Sequence, residues 1–182
     1  METSLTWLDR LTDKPGGADW RRLLDVYGPL LHGWLSRAGV PEGDRDDIVQ
    51  DVLVVVVRRV NGFEHRGPGT FRAWLRGILA NHIRKFFRTR TAMPAFDPDQ
   101  LAKDDSVLSR LWDQDHDGYL AARALKAAEV DFAPTTWTAF CLQVFEEKKP
   151  AEVAAELGLT LNAVLLAKSR VLKRLREELR GG

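Results

Sequence analysis

The stretch PAEVAAELGLTLNAV, residues 150–164, decides the fold of the C-terminal part of this chain. It predicts a short alanine-rich helix, a glycine corner and the start of a second helix. Ala154 is small where two helices must approach closely, and Gly158 stands four residues later, where a helix commonly ends in a left-handed residue. Thr160 can cap the second helix. This spacing is typical of a helix-turn-helix, although any corner between two helices can imitate it.

The second helix of this pair, projected at 100° per residue, has an apolar side and a polar side. The apolar side holds Leu161, Val164, Val171 and Leu175. The opposite side holds Asn162, Leu166, Ser169, Lys173 and Arg180. An Asn can read adenine, an apolar side chain can meet a thymine methyl group, and nearby cations can contact phosphate. The polar side therefore suits a recognition helix in the major groove. The alternative is a solvated face with one stray leucine.

The charge of the chain is strongly segregated, although the formal net charge is only +1. Residues 64–90 hold seven Arg or Lys and one Glu, residues 97–117 hold seven Asp and two basic residues, and residues 165–180 hold six basic residues and two Glu. Two basic blocks thus flank one acidic block, which suits two surfaces for nucleic acid. A further hypothesis is that the acidic block keeps the free protein closed by covering its own basic faces, which removal of residues 97–117 would test.

The apolar periodicity predicts an all-α fold made of two small helical domains. The run VLVVVV at 52–57 is assigned to a helix because no second strand is available to pair with it. No apolar run approaches the roughly 20 residues of a membrane span, so we expect a cytoplasmic protein without membrane insertion. The predicted boundaries are 1–92 for the first domain, 93–117 for an acidic linker and 118–182 for the second domain.

A row of arginines lies along the predicted helix 70–90 and consists of Arg72, Arg76, Arg84 and Arg88. Because these positions are spaced in multiples of four, they form one cationic ridge. His65 and Arg66 lie in the preceding loop, and Trp74 and Phe87 are aromatic residues of the same helix. Cations beside exposed aromatic rings suit single-stranded nucleic acid, whose unpaired bases need stacking planes. Trp74 also falls on the apolar stripe of the helix, so a buried position is its alternative.

An acidic cluster, DRDDIVQD, occupies residues 44–51. Asp47 and Asp51 are four residues apart and could share a metal ion, but no third carboxylate or histidine follows at helical spacing. Compensation of the helix dipole explains the acids of the first turn. It does not explain Gln50 and Asp51, which favour a polar docking surface. No catalytic residue, metal site or cofactor is predicted.

Four motifs stand in order along the chain: YGPLLHGWL, DDIVQDV, FRAWLRGILANHIRKFFR, and the C-terminal PAEVAAELGLTLNAV with KSRVLKRLREEL after it. In this order and at these separations the chain resembles a bacterial RNA polymerase sigma factor of the extracytoplasmic-function type, within the sigma-70 family. The resemblance covers nearly the whole chain. It implies a non-catalytic subunit that has a helical region 2 in the first domain and a helix-turn-helix region 4 in the second.

The resemblance implies that the protein binds core RNA polymerase, through the β and β′ subunits, and promoter DNA, and it makes an anti-sigma factor a candidate partner. DDIVQDV is similar to the helix that docks on the clamp coiled coil of the largest subunit, and the implied contacts are Asp47, Gln50 and Asp51. The first domain is similar to the part that melts and holds the −10 element, with implied contacts at His65, Arg66, Arg72, Trp74, Arg76, Asn81, Arg84, Lys85, Phe87 and Arg88. The C-terminal helix pair is similar to the reader of the −35 element, with implied contacts at Thr160, Asn162, Leu166, Ser169, Arg170 and Lys173.

Two positions of the recognition helix depart from the family pattern, because Leu165 and Ala167 stand where many members carry a basic residue. Three other functions stay open. A stand-alone helix-turn-helix regulator predicts dimerisation and tight binding to duplex DNA without polymerase. A metal-dependent nuclease would use Asp46, Asp47 and Asp51. A pure adaptor would bind a protein through the acidic helix and would leave the arginine ridge unexplained.

Overall fold

The computed structural model describes residues 17–63 and 69–181, which form α-helices and no β-strand. The predicted all-α fold is confirmed, and VLVVVV lies in a helix. The described helices are α1 (Gly17–Arg37), α2 (Glu42–Arg59), α3 (Thr70–Arg90), α4 (Pro98–Ala102), α5 (Val107–Glu129), α6 (Pro134–Val144), α7 (Pro150–Leu157) and α8 (Leu161–Gly181). Within these residues no single helix is long and apolar enough to cross a membrane, and only α7 and α8 taken as a bent pair match such a span in length and composition.

The chain divides into two compact units, of which unit 1 ends at Leu120 and unit 2 begins at Ala121. The segment 93–117, predicted as an acidic linker, packs within unit 1, where Leu101 and Trp112 are fully buried. Its apolar residues are few and are separated by aspartates, so no sustained periodicity marks them in the sequence.

Unit 1 is built around α1, α2 and α3, each of which buries one apolar side. Trp34 of α1 meets Trp112 of α5 edge-on, with 5.6 Å between the ring centroids. The chain leaves α1 at Gly39, whose φ of 87° lies in the left-handed region that glycine adopts without strain. The backbone N–H of Ala95 donates to the carbonyl of Ala38 over 2.9 Å, which holds the loop after α3 against the end of α1.

Unit 2 contains the glycine corner between α7 and α8. Gly158 has a φ of 63°, and the hydroxyl of Thr160 accepts a hydrogen bond from the N–H of Ala163 over 3.1 Å, so both residues take the roles predicted for them. The chain bends by 109° between the two helices. Gln143 of α6 donates one amide hydrogen bond to the carbonyl of Val164 over 3.0 Å, which ties α6 to α8. These features make the segment a helix-turn-helix in geometry.

Candidate polymerase and nucleic-acid interfaces

The acidic face of α2, which we define as Asp47, Gln50 and Asp51, is exposed along its length. Val49 and Val52 point the other way and are buried in unit 1. The helix therefore presents three polar side chains outward and needs none of them for its own packing. Among the described residues no group of three or more His, Cys, Asp or Glu is arranged to hold a metal ion.

The acids beside this face are engaged within the protein. Asp46 contacts Nε2 of His32 at 2.5 Å, and Asp44 accepts a hydrogen bond from Arg90 at 2.7 Å. Asp44 and Asp46 of the acidic cluster at residues 44–51 therefore take part in contacts within the protein, unlike the three residues of the acidic face.

The arginine ridge of α3 is largely covered by aspartates of the segment 97–117. Arg72 donates to both carboxylate oxygens of Asp117, at 3.0 and 2.9 Å, and lies 3.2 Å from Asp113. Arg76 pairs with Asp104, and Arg84 pairs with Asp99. The acidic block thus meets the basic block within unit 1, as the charge pattern suggested.

Arg76 does not fit its predicted role in binding DNA, because only 3% of the residue is exposed. Its guanidinium lies under the acidic segment, 3.7 Å from Asp113 as well as beside Asp104. Arg72 is partly buried with 22% of its side chain exposed, and it also faces inward to Asp117. Both arginines therefore fasten α5 to α3 in this structure. The two arginines are covered because α5 packs on this part of α3, where the indole N–H of Trp112 donates to the carbonyl of Arg72.

The acidic segment 97–117, which covers the arginine ridge, is held in place by side chains buried in the core of unit 1. Trp112 has no exposed surface, and its indole N–H donates to the carbonyl of Arg72 over 3.0 Å. Leu101 and His116 are also fully buried. Removal of residues 97–117 would therefore take core side chains out of unit 1, so it would change folding as well as charge. Substitution of the exposed aspartates Asp99 and Asp104 leaves the core side chains in place. It therefore tests more cleanly whether the acidic segment keeps the free protein closed.

The aromatic residues of α3 are arranged differently from the prediction. Phe87, predicted to contact DNA, is only 6% exposed because the loop after α3 folds back beside it and Gly39. Phe86 is the half-buried ring instead, and the guanidinium of Arg90 lies 4.4 Å from its centroid. Trp74 is half-buried and stacks on Phe63 with 4.6 Å between centroids. Helical periodicity placed Phe86 on the buried stripe and left Phe87 for contact with DNA, and this assignment of the two adjacent rings was wrong.

The remaining predicted −10 contacts fall into two groups. His65 and Arg66 lie outside the described residues. Asn81, Lys85 and Arg88 are exposed on α3, and Arg84 keeps 42% of its side chain exposed. Arg84 donates to the side-chain oxygen of Asn81 over 2.6 Å. The accessible polar surface of α3 is therefore its C-terminal half, defined here as the α3 polar patch of Asn81, Arg84, Lys85 and Arg88.

A buried histidine lies behind the covered part of the ridge. Burial lowers the pKa of His116, and this outweighs the hydrogen bond with Asp117, at 3.2 Å, which would raise it. Burial acts to raise the pKa of Asp117, but the hydrogen bond with His116 and the charge of Arg72 together hold it below its usual value. The Nε2 atom of His116 has no hydrogen-bond partner among the described residues, so a proton there would be buried without an acceptor.

Unit 1 is therefore expected to lose stability as the pH falls below about 6.5. The unfolded chain takes up a proton at His116 near that pH, whereas the folded chain, whose pKa is lowered, does so only at a lower pH. The lowered pKa of Asp117 also stabilises the folded state, and this stabilisation is lost only in more acidic solution, below the ordinary pKa of 3.8. Urea unfolding followed by circular dichroism between pH 7.5 and about 5 measures the effect.

The variant His116→Phe should flatten this pH dependence, because a ring remains next to Tyr27 and Trp112 but the titrating group is gone. His32→Gln is the control, since His32 is only half-buried and contacts Asp46 of α2. An unchanged slope in His116→Phe would show that other groups cause the loss.

The polar side of α8, which the sequence predicts to be a recognition face, faces outward from unit 2. The side chains of Asn162, Leu166, Ser169, Arg170 and Lys173 are all exposed. Val164 and Val171, on the opposite side, have no exposed surface. Lys173 is 3.9 Å from Glu177, a distance that leaves its ammonium available to another anion.

Sequence reasoning missed two exposed leucines on α8. Leu161 is 50% exposed at the first residue of the helix, and Leu165 is 48% exposed one turn later. Leu161 was expected on the apolar side from its position at 100° per residue. This prediction was wrong, because half of the Leu161 side chain stays exposed at the start of α8. The sequence signal for Leu165 was its departure from the basic residue common at that position.

Comparisons with known proteins bear on this geometry. Residues 23–93 match the family model described as Sigma-70 region 2. The RNA polymerase sigma factor CnrH of Cupriavidus metallidurans is 36% identical over 69 residues, which are 38% of this chain and 35% of that protein. The match thus spans about a third of the length of the curated relative. A solved structure of CnrH in complex with the cytosolic domain of CnrY is 22% identical, with a TM-score of 0.42, over 98% of this chain and 97% of that one.

The part of unit 1 that is similar to sigma-70 region 2 begins within α1 and takes in α2 and α3. Both similarities are to sigma factors, and each covers less than half of this chain.

Proposed function

We propose that this chain is a sigma factor of the extracytoplasmic-function type, a dissociable and non-catalytic subunit that directs core RNA polymerase to promoters. The observation that carries the proposal is the combination, in one chain, of a region 2 match on residues 23–93 and a helix-turn-helix corner bent by 109°. Unit 1 would be region 2, which binds polymerase and opens the −10 element. Unit 2 would be region 4, which reads the −35 element.

The acidic face of α2 is the proposed polymerase-binding surface. Asp47, Gln50 and Asp51 are exposed and are not used in folding, and a polar docking surface needs accessible side chains of this kind. The proposed partners are the β and β′ subunits of core polymerase, in the cytoplasm. An anti-sigma factor is a further candidate partner, by family resemblance.

The α3 polar patch is the proposed contact of unit 1 with the −10 element. Its exposed cations suit the DNA backbone, and Trp74 on Phe63 supplies an aromatic platform farther toward the start of α3. His65 and Arg66 belong to the same proposal by family resemblance. Arg72, Arg76 and Phe87 could join it only if the segment 97–117 and the loop after α3 moved away.

The helix-turn-helix of unit 2 is the proposed contact with the −35 element. The exposed amide of Asn162 can reach a base edge, and the exposed Lys173 and Arg170 can reach phosphates. Each DNA surface by itself is small and weak. When polymerase holds both on one promoter, the second contact forms at a high effective concentration, so two weak surfaces select one site.

Transcription by core RNA polymerase from a pool of random promoter sequences, with and without this protein at a stated salt concentration, tests the proposal. Promoter-specific transcripts that need the protein are the expected result. A shifted duplex without polymerase, and no new transcript, would favour the stand-alone helix-turn-helix regulator, which remains the second candidate because α8 carries a complete recognition face.

Neutralising the exposed aspartates of the segment 97–117 that pair with the arginine ridge is expected to strengthen nucleic-acid binding by the free protein. Asp99 and Asp104 keep 71% and 86% of their side chains exposed, and each pairs with a ridge arginine. The double variant Asp99→Asn and Asp104→Asn should raise the affinity for a fluorescent single-stranded oligonucleotide by about threefold to fivefold at low salt.

Asp105→Asn is the matched control for this measurement. Asp105 is exposed and adjacent to Asp104, and its φ of 58° is one that Asn also tolerates. It removes one negative charge from the same segment without freeing an arginine. An equal gain per charge in Asp105→Asn would mean that net charge, and not the cover of the ridge, sets the affinity.

A further inference from the structure

The exposed side of α8 carries two adjacent large apolar side chains that unit 2 leaves about half exposed. Leu165 is 48% exposed and Leu166 is 42% exposed. The packing side of the helix is occupied by Val164, Ala167 and Val171, which are 0%, 5% and 0% exposed. A single exposed leucine is ordinary in a soluble protein, but two side by side on a proposed recognition face need a reason.

The two leucines flank the polar centre of this face. At 100° per residue, Leu165 lies about 60° to one side of Asn162 and Leu166 about 40° to the other. Ser169 lies about 20° from Asn162, between them. A base edge that meets Asn162 would therefore have an apolar side chain on each side of it.

Cations border this apolar pair. Lys168, Arg170 and Lys173 are exposed on α8 within one or two turns of the leucines. An apolar patch beside exposed positive charges fits a polyanion that also offers apolar groups. Duplex DNA offers one such group on its base edges in the major groove, the 5-methyl group of thymine.

We propose that Leu165 and Leu166 read thymine methyl groups on both sides of the base met by Asn162. The proposal rests on the proposed function of unit 2 and names what its helix reads. At position 165 the leucine of this chain would contact a thymine methyl group. The basic residue that many family members carry there would contact phosphate or guanine. The −35 element selected by this protein should therefore contain thymines whose methyl groups contribute to affinity.

Replacement of thymine by deoxyuridine tests the proposal, because it removes the methyl group and leaves base pairing intact. Complexes of core polymerase and the full chain are formed on a promoter selected from the random pool, with each −35 thymine of either strand replaced in turn. At one or two positions the replacement should weaken binding by about threefold to fivefold. In the double variant Leu165→Ala and Leu166→Ala the same replacement should have no effect.

Leu161→Ala is the matched control. Leu161 is as exposed as Leu165, but it lies about 100° from Asn162 around the helix, at the edge of the face. This variant should keep the difference between thymine and deoxyuridine. The salt dependence of binding should be the same in all variants, since the phosphate contacts are unchanged.

Three results would overturn the proposal. Promoter-specific transcription without any effect of deoxyuridine would refute methyl reading and leave the proposed sigma function intact. A double variant that keeps the full deoxyuridine effect would assign the methyl contact to other residues. A wild-type dimer in sedimentation that dissociates in the double variant, again without a deoxyuridine effect, would show that a second copy of the chain covers the leucines. Absence of any promoter-specific transcript would instead refute the proposed function itself.

Discussion

Replacing Asp47 and Asp51 by arginine should abolish promoter-specific transcription while leaving unit 1 folded. Both carboxylates are exposed on the acidic face of α2, so their reversal should change the free energy of unfolding by less than about 0.5 kcal/mol. Reversed charges in a docked interface cost several kcal/mol, and we expect transcript yield to fall by at least about a hundredfold. Run-off transcription at limiting protein, with urea unfolding of the same preparations, measures both quantities.

Asp46→Arg is the matched control on the same helix. Its carboxylate contacts His32 at 2.5 Å and points about 100° around the helix from Asp47. It should lower transcription much less than Asp47→Arg alone. Equal losses in the two single variants would mean that total charge, and not the acidic face, governs polymerase binding. Unimpaired transcription by the double variant would remove α2 from the proposed interface.

Trp112→Ala has the largest expected effect on stability. Trp112 has no exposed surface, lies against Trp34, and donates its indole N–H to the carbonyl of Arg72. Truncation leaves a large cavity and removes the indole hydrogen bond between α5 and α3, so unit 1 should lose about 3–5 kcal/mol of unfolding free energy. The ion pairs of Arg72 with Asp113 and Asp117 should loosen with it, since Trp112 fixes the position of α5.

Urea unfolding followed by circular dichroism gives the free energy, and limited proteolysis reports whether residues 93–117 have become accessible. Trp137→Ala is the control, because Trp137 belongs to unit 2 and is only half-buried. A loss below about 1 kcal/mol in Trp112→Ala would mean that the segment behaves as the linker predicted from sequence, and that its burial adds little to unit 1.

Much of the fold follows from local pattern. Helical periodicity predicted the all-α fold, and the absence of a partner strand assigned VLVVVV to α2. The glycine corner was read correctly because its determinants, Gly158 and Thr160, act within a few residues of themselves. The exposed faces of α2 and α8 were also readable, since a helix whose buried side is known has its outward side fixed.

The partners of the arginines could not be read in this way. Periodicity places Arg72, Arg76 and Arg84 in one row, but it does not say which of them another segment will cover. Arg72 meets Asp117 across 45 residues of sequence, and that contact depends on the burial of Trp112 between them. The charge pattern predicted attraction between the two blocks and left the individual pairs undetermined, because opposite charges attract without a fixed register.

The sequence by itself determined that this is an all-α protein with a helix-turn-helix corner, an exposed acidic helix face and opposed charge blocks. These are consequences of short-range spacing, capping and composition. Only the tertiary structure decided that the acidic segment belongs to unit 1, that Arg76 and Phe87 are buried, and that Leu165 stays exposed beside Leu166. Burial is decided by packing between distant segments, where a few apolar anchors such as Leu101 and Trp112 outweigh the charged residues around them.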